Sequence, residues 1–216
     1  MEKYQREFIE FAIERKALCF GKYKLKSGRV SPYFFNTGSF NDGKSLAKLG
    51  RFYAEALHKA EIKFDMIYGP AYKGIPLASA TAISFYEVFD NNCPFCFNRK
   101  EIKDHGEGGM TFGAEIHNRV IVIDDVISAG TSIKESIDIV HSKGGTVIGA
   151  IVAVDRQEQG EGKKSAIREA QEKYKIKIIS IVNLNDIISF ISKNDSLKKH
   201  LEAINAYSIQ YGDINE

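Results

Sequence analysis

Two adjacent carboxylates stand where a strongly apolar stretch ends. The stretch is Val120–Ile123, the acids are Asp124 and Asp125, and a turn of small residues over 126–132 leads into an amphipathic segment. Free backbone N–H groups at the start of a helix, together with the helix dipole, bind anions such as phosphate. Carboxylates disfavour a phosphate, but they accept hydrogen bonds from sugar hydroxyls or face a metal ion. One loop therefore offers a phosphate site beside hydroxyl acceptors, as a phosphorylated ribose requires.

The same loop has a structural interpretation as well. Ser132 and Glu135 have the spacing of a capping box, in which two side chains hydrogen-bond the backbone at a helix start. A capping box explains the start of the helix but leaves the paired acids unexplained.

A second short loop, Gly69-Pro70-Ala71-Tyr72-Lys73-Gly74, follows the predicted strand Phe64–Tyr68 and carries a single cation. A pyrophosphate lying on the loop amides, with Lys73 balancing its charge, is one interpretation. An ordinary strand-to-helix turn with a solvated lysine is the other.

A third segment concentrates positive charge over residues 99–109. Four potential cations lie within seven residues, and glycines follow them. They are Arg99, Lys100, Lys103 and His105. Long loops without their own structure are commonly lids, and glycines let such a loop move. We therefore expect a lid that closes over a polyanionic substrate, with a solvated surface loop as the alternative.

A fourth segment places aromatic residues beside cations, because Lys26 and Arg29 precede Tyr33-Phe34-Phe35-Asn36. This combination suits a flat, anionic ring. A hydrophobic hairpin fits the same pattern.

Alternating strands and helices must position these segments. Strands are predicted at Phe64–Tyr68, Pro94–Asn98, Val120–Ile123, Thr146–Val154 and Ile176–Val182, with amphipathic helices at about 2–17, 44–60 and from Ile75. This order predicts an α/β fold with a mostly parallel central sheet flanked by helices. Ligands of such sheets bind beyond the carboxyl ends of the strands. We therefore expect the site in the loops after residues 68, 98, 123 and 154.

Together these segments resemble the type I phosphoribosyltransferases and, among them, the orotate phosphoribosyltransferases. The resemblance runs nearly end to end. Its parts are residues 33–36, 69–74, 99–109 and 120–132, Asp155-Arg156-Gln157-Glu158, and the tail from Ser180-Ile181-Val182-Asn183-Leu184 through Ala206-Tyr207. It departs at Ser128, where threonine is expected but a hydroxyl remains, and at Gly43-Lys44-Ser45.

The resemblance implies a pentosyltransferase that moves phosphoribosyl from 5-phosphoribosyl 1-pyrophosphate (PRPP) to orotate. The products would be orotidine 5′-phosphate and pyrophosphate, in pyrimidine biosynthesis, and the cofactor would be Mg²⁺. No protein ligand for the metal is assigned, although Asp124 and Asp125 are candidates.

The resemblance also assigns site residues. The catalytic set is Lys100, Lys103, His105, Arg99 and Asp125. The PRPP-binding set is Lys26, Tyr72, Lys73, Arg99, Lys100, Lys103, His105, Asp124, Asp125, Val126, Ile127, Ser128, Ala129, Gly130, Thr131 and Ser132. The orotate-binding set is Lys26, Phe34, Phe35, Ser128 and Arg156.

In this family the lid reaches the active site of the other subunit. The resemblance therefore implies a homodimer in which Arg99 serves one site while Lys100, Lys103 and His105 serve the next. It also implies the type I phosphoribosyltransferase fold as a single domain over 1–216. The core would span about 41–182, and a small hood would come from about 1–40 and 183–216.

Composition sets outer bounds on these expectations. With 216 residues the chain is shorter than a (β/α)₈ barrel, which takes about 250. Its 30 basic and 28 acidic residues leave a net charge of +2, which gives no general attraction to nucleic acid or membrane. No apolar run approaches the roughly 20 residues of a membrane span. Three cysteines, an odd count, favour a reducing cytoplasm.

The sharpest alternative is a P-loop NTPase. Residues 38–45 match the G-x-x-x-x-G-K-[ST] pattern, and Lys44 would be its phosphate-binding lysine. The context is poor, because the preceding strand would be the short, aromatic Tyr33–Thr37 rather than a buried aliphatic one.

Three further alternatives remain. A non-catalytic PRPP-sensing regulator would not need the lid cations. A purine phosphoribosyltransferase is disfavoured because Lys26 and Arg156 suit an anionic base. The Cys93-Pro94-Phe95-Cys96 spacing fits a redox or zinc site, but two small buried residues explain it better.

Overall fold

A six-stranded sheet forms the centre of the protein. The structure is a computed structural model, which describes residues 1–25, 27–103, 109–127 and 130–213, with the backbone alone at 102, 103 and 109. The strands are β1 (Leu18–Lys24), β2 (Val30–Phe35), β3 (Met66–Gly69), β4 (Phe95–Lys103), β5 (Gly109–Gly113), β6 (Arg119–Ile123), β7 (Thr146–Asp155) and β8 (Lys177–Asn183). The central sheet has the order β5-β4-β3-β6-β7-β8. All its neighbours pair in parallel except β4 and β5.

Helices cover both faces of this sheet. They are α1 (Lys3–Glu14), α2 (Gly43–Lys59), α3 (Gly74–Phe89), α4 (Thr131–Ser142), α5 (Ala166–Tyr174), α6 (Leu184–Ser192) and α7 (Leu201–Tyr211), with 3₁₀ turns at Thr37–Ser39 and Lys198–His200. Within β6, Ile121 and Ile123 pack into the core that α1, α2 and α3 share, whereas Val120 and Val122 pack towards α4 and α5. A strand buried on both faces needs apolar residues at consecutive positions, which is the pattern of 120–123.

The segment expected to be a loop at 99–109 is strand at both ends. β4 continues to Lys103, and β5 returns antiparallel to it with Phe97 opposite Phe112. Their rings lie 5.3 Å apart, and cross-strand aromatic pairs stabilise such a pairing. The expectation of a long structureless loop is therefore wrong at its two ends, while residues 104–108 lie outside the described residues.

Strands β1 and β2 form a separate antiparallel sheet beside the central one. Tyr33 of β2 meets Tyr207 of α7 edge to face, with ring centroids 6.4 Å apart. Phe35 packs on Phe8 of α1 at 6.1 Å. Segments from both ends of the chain thus meet here, and the hood boundaries stay a prediction. Among the described residues, no helix has both the length and the apolar character needed to cross a bilayer.

Candidate active site

Asp124 follows β6 and is tied to the first turn of α4. Its Oδ2 accepts a hydrogen bond from the Ser132 hydroxyl at 2.8 Å, and its Oδ1 accepts one from the N–H of Asp125 at 2.9 Å. The N-cap of α4 is Gly130 rather than Ser132. The capping-box interpretation is therefore wrong, because the Ser132 hydroxyl serves the carboxylate and not the helix backbone.

Burial sets the protonation behaviour of Asp124. The side chain lies in the interior, and loss of hydration of its charged form raises its pKa to about 6. The Ser132 hydrogen bond opposes this increase, while the neighbouring Asp125 carboxylate adds to it. Asp124 is thus ionised at neutral pH and becomes protonated in mild acid.

Asp125 joins three parts of the chain. Its Oδ2 accepts hydrogen bonds from Lys73 Nζ at 2.5 Å and from Thr37 Oγ1 at 3.0 Å, and its Oδ1 accepts one from the N–H of Val126 at 3.0 Å. Lys73 reaches it because β3 and β6 are neighbours, so the loops after these two strands lie side by side. The structure therefore brings together two residues that the sequence placed in separate predicted sites.

The loop from Gly69 to Gly74 is held by close backbone packing. A Cβ atom on Gly69 would lie 2.1 Å from the carbonyl oxygen of Gly74, so only glycine fits there. The side-chain oxygen of Asn98, in β4, accepts a hydrogen bond from the N–H of Ala71 at 2.7 Å. The peptide bond between Ala71 and Tyr72 is cis, and Tyr72 is 72% exposed. This anchoring leaves Tyr72 and Lys73 at the carboxyl edge of the sheet.

The start of α4 is suited to an anion. Gly130 has a left-handed backbone with φ of 68°, and within the described part of this loop no side chain caps the first turn and no acid lies in it. The N–H groups of a first turn lack partners inside the helix. Val126, Ile127, Thr131 and Ser132 of the predicted phosphate loop surround this point in sequence, while Ser128 and Ala129 lie outside the described residues.

Arg156 directly follows β7 and lies against the β1–β2 hairpin. Its guanidinium carbon is 4.2 Å from the ring centroid of Tyr33, and its Nη2 donates to the Ser31 hydroxyl at 3.0 Å. Nε and Nη2 also donate to Glu158 at 2.8 and 2.5 Å. In the same hairpin Phe34 is 39% exposed, whereas Phe35 is buried. The hairpin and Arg156, two parts of the predicted orotate site, are therefore in contact.

The structure describes only part of the predicted lid. Arg99 lies in β4 with its guanidinium 5.4 Å from the Phe112 ring centroid, and the side chain of Lys100 is exposed. Lys103 is the last residue of β4. Lys26 and His105 lie outside the described residues.

Sequence reasoning missed the residues that support the paired acids. The Tyr53 hydroxyl of α2 donates to the backbone oxygen of Asp124 at 2.8 Å, and Thr37 donates to Asp125. Asn98 anchors the Ala71 amide. Of these residues, only Asn98 had a signal in the sequence that could have indicated a functional role. It is a polar residue that directly follows the apolar stretch Phe95-Cys96-Phe97.

The structure disfavours a P-loop at 38–45. The helix start that a nucleotide phosphate would need is capped by Asp42, whose Oδ1 accepts from the Ser45 N–H at 2.8 Å. β2, the preceding strand, belongs to the two-stranded sheet rather than the central one.

The Cys93 and Cys96 thiols are both buried, and burial raises their pKa values to about 11 and about 12. Thiols with such pKa values are poor nucleophiles. Across the described residues, no group of three His, Cys, Asp or Glu side chains could hold a metal ion. The redox and zinc interpretations therefore gain no support.

Comparison with known proteins decides the family. The family model described as "Phosphoribosyl transferase domain" matches residues 36–191. The orotate phosphoribosyltransferase of Yersinia enterocolitica is 52% identical over 212 residues, which are 98% of this chain and 100% of the relative. The corresponding protein of Thioalkalivibrio sulfidiphilus is 53% identical over the same shares. The chain belongs to the orotate phosphoribosyltransferase family.

Solved structures of the orotate phosphoribosyltransferase family agree with this assignment. The crystal structure of the Francisella tularensis member has a TM-score of 0.86 and 36% identity, and the match covers 95% of this chain and 99% of that one. The predicted family, the predicted fold class and the prediction of a phosphoribosyltransferase enzyme are thus confirmed.

Proposed function

We propose that this protein transfers the phosphoribosyl group of PRPP to orotate, giving orotidine 5′-phosphate and pyrophosphate in pyrimidine biosynthesis. The observation that carries the proposal is the contact of Lys73 with Asp125, beside Asp124 and an uncapped helix start. Full-length relatives that are named orotate phosphoribosyltransferase support it.

The proposed roles of the PRPP-binding residues follow from charge. Asp124 and Asp125 accept hydrogen bonds from the ribose hydroxyls, and the loop at 126–132 binds the 5′-phosphate through its amides. Tyr72 and Lys73 meet the pyrophosphate, together with Lys26. Lys73 now pairs with Asp125, and a pyrophosphate would compete with that carboxylate for the ammonium group.

The proposed catalysis rests on stabilising a leaving group. As pyrophosphate departs, the anomeric carbon becomes oxocarbenium-like, and fixed cations stabilise the negative charge that develops on the leaving oxygen. Asp125, held by Lys73 and Thr37, keeps the ribose in place. Positioning the ring nitrogen of the base beside the anomeric carbon lowers the remaining barrier.

The donor set after β6 suits a magnesium ion. Mg²⁺ is commonly bound by one or two carboxylates plus waters and substrate phosphates. Two buried carboxylates adjoin here, and of these two only Asp125 forms an ion pair with a cation among the described residues. Asp124 and Asp125 are the residues that would hold the ion, which supplies charge neutralisation to the pyrophosphate when bound.

The base would lie between the hairpin and Arg156. A planar guanidinium binds a carboxylate through two parallel hydrogen bonds, and Arg156 is the arginine held against β2. Backbone groups at Phe34 and Phe35, with Lys26 and Ser128, complete the proposed orotate site.

We also infer a homodimer with a shared lid. Arg99 would serve its own subunit's site, while Lys100, Lys103 and His105 would reach the partner's. The exposed position of Lys100 on the β4–β5 hairpin is consistent with this role. A cytoplasmic location is inferred from the odd number of cysteines, all three of which are free.

A spectrophotometric assay tests the proposed function. Orotate absorbance is followed with PRPP and MgCl₂, and a parallel sample contains excess EDTA. We expect orotate to be consumed only in the magnesium sample. Orotate that stays unchanged in both samples would refute the activity, and equal rates in both would refute the metal requirement.

A further inference from the structure

Glu158 lies at the centre of an ion-paired group next to the β1–β2 hairpin. Its Oε1 accepts from both Nε and Nη2 of Arg156, and its Oε2 is 3.6 Å from Nη1 of Arg29. The side chains of Glu158 and Arg156 are 13% and 14% exposed. A buried, charge-assisted contact of this kind fixes geometry more firmly than a surface ion pair.

The contacts of Arg156 restrain its guanidinium on three sides. Glu158 holds one edge, the Ser31 hydroxyl accepts from Nη2, and the Tyr33 ring lies against the plane. The Tyr207 side chain of α7 also lies close enough to Arg156 and Glu158 to interact with both electrostatically. These contacts leave the guanidinium little freedom to rotate, so an anion that binds Arg156 would meet a group of fixed orientation.

Arg29 extends the same restraint to the hairpin. It donates to the backbone oxygen of Gln159 at 3.1 Å, and its guanidinium lies 5.1 Å from the Tyr211 ring centroid. The trio of Arg29, Glu158 and Arg156 carries one net positive charge. A flat base that carries one carboxylate would neutralise this charge.

We propose that Glu158 is a positioning residue that presents Arg156 to the carboxylate of the base and so sets the preference for an anionic base. The proposal rests on the proposed function, because it assigns a role within the orotate site. Two effects oppose each other when Glu158 is neutralised: the guanidinium loses its fixed orientation, but the site becomes more positive. We expect the loss of orientation to have the larger effect on orotate binding.

Steady-state kinetics of Glu158→Gln test this role, with Glu172→Gln as the matched control. Glu172 pairs with Lys164 on the surface, away from the hairpin. We expect Glu158→Gln to raise KM for orotate about tenfold, with kcat and KM for PRPP unchanged. The control should match wild type in all three constants.

A double-mutant cycle shows whether Glu158 acts through Arg156. If it does, adding Glu158→Gln to Arg156→Lys raises KM for orotate less than it does in the wild-type background. Additive effects would overturn the proposal. So would an unchanged or lower KM for orotate in Glu158→Gln, or an equal rise in KM for PRPP.

A second variant covers the case in which Glu158→Gln fails to fold, as monitored by thermal unfolding. Glu158→Asp keeps the charge on a shorter side chain, and we expect a rise of about threefold in KM for orotate alone. No rise in that variant would overturn the proposal. No orotate consumption by the wild-type protein would instead overturn the proposed function, and this inference with it.

Discussion

At the scale of single residues, the two adjacent acids have different environments. Asp125 accepts from the Lys73 ammonium group, so its charge is compensated inside the protein. Asp124 accepts from one hydroxyl and one amide, and burial dominates its pKa. The pair therefore offers one compensated carboxylate and one whose charge a bound cation would stabilise.

The raised pKa of Asp124 predicts a pH dependence of stability. Between about 3.8 and about 6 the folded protein holds a proton on this group while the unfolded chain has lost it. The contribution of Asp124 to the free energy of unfolding is therefore greatest below this window and is lost as the pH rises through it.

Urea unfolding of wild type and Asp124→Asn at several pH values checks this dependence. We expect the stability of wild type relative to the variant to fall between pH 4 and pH 6.5, because only wild type carries the titrating carboxyl. A constant relative stability would show that folding does not shift the pKa of Asp124, and one that rises with pH would show that folding lowers it.

At the scale of elements, the pairing of neighbouring strands explains where the site lies. β3 and β6 pair in parallel, so the loops that follow them open on the same edge of the sheet. The loop after β3 turns back tightly enough that Gly69 lies against Gly74 and Ala78. Packing of the strand-to-helix turn thus determines where Lys73 stands.

Gly69→Ala should disrupt this turn. The added methyl group overlaps the Gly74 carbonyl, and overpacking of this kind costs about 3 kcal/mol of the free energy of unfolding. Gly43→Ala is the matched control, because a Cβ atom there meets nothing within 4 Å. Denaturant unfolding compares the two, and equal stabilities would contradict the tight-turn account.

The β4–β5 hairpin carries the proposed lid cations. Lys100→Ala should lower kcat at least tenfold while KM for PRPP changes little, because a lid cation stabilises the leaving group mainly in the transition state. Lys63→Ala, an exposed lysine just before β3, serves as the control. A kcat for Lys100→Ala equal to that of the control would remove Lys100 from the catalytic set.

At the scale of the whole molecule, a shared lid predicts complementation between subunits. We expect Lys100→Ala and Arg156→Ala proteins to have little activity separately, and crossing lids would give mixed dimers in which one site keeps both residues. Random mixing makes half of the dimers mixed, so we expect about a quarter of wild-type activity to return. Measured activity no higher than the sum of the two variants alone would exclude crossing lids.

The sequence predicted much of the fold because its strands are locally distinctive. Val120–Ile123 is apolar at four consecutive positions and forms β6 almost as predicted. The continuation of β4 to Lys103 was not predictable in the same way. Four of the five residues at 99–103 are charged, and their strand conformation depends on pairing with β5 rather than on a local pattern.

The site was predictable in its parts but not in its connections. The paired acids, the phosphate loop and Lys73 all stand in recognisable local patterns. Their contacts depend on β3 lying next to β6, which no local pattern encodes. The contacts of Thr37 with Asp125 and of Tyr53 with Asp124 cross 88 and 71 positions of sequence and come from tertiary packing.

Comparing four bases under one assay condition tests the central claim most directly. Orotate, uracil, adenine and hypoxanthine are each incubated with the protein, PRPP and MgCl₂, and formation of the ribonucleotide is measured. We predict that orotate is consumed and that the three bases without a carboxylate are not. Turnover of a purine in place of orotate would contradict the assignment of Arg156 and the hairpin to an anionic base.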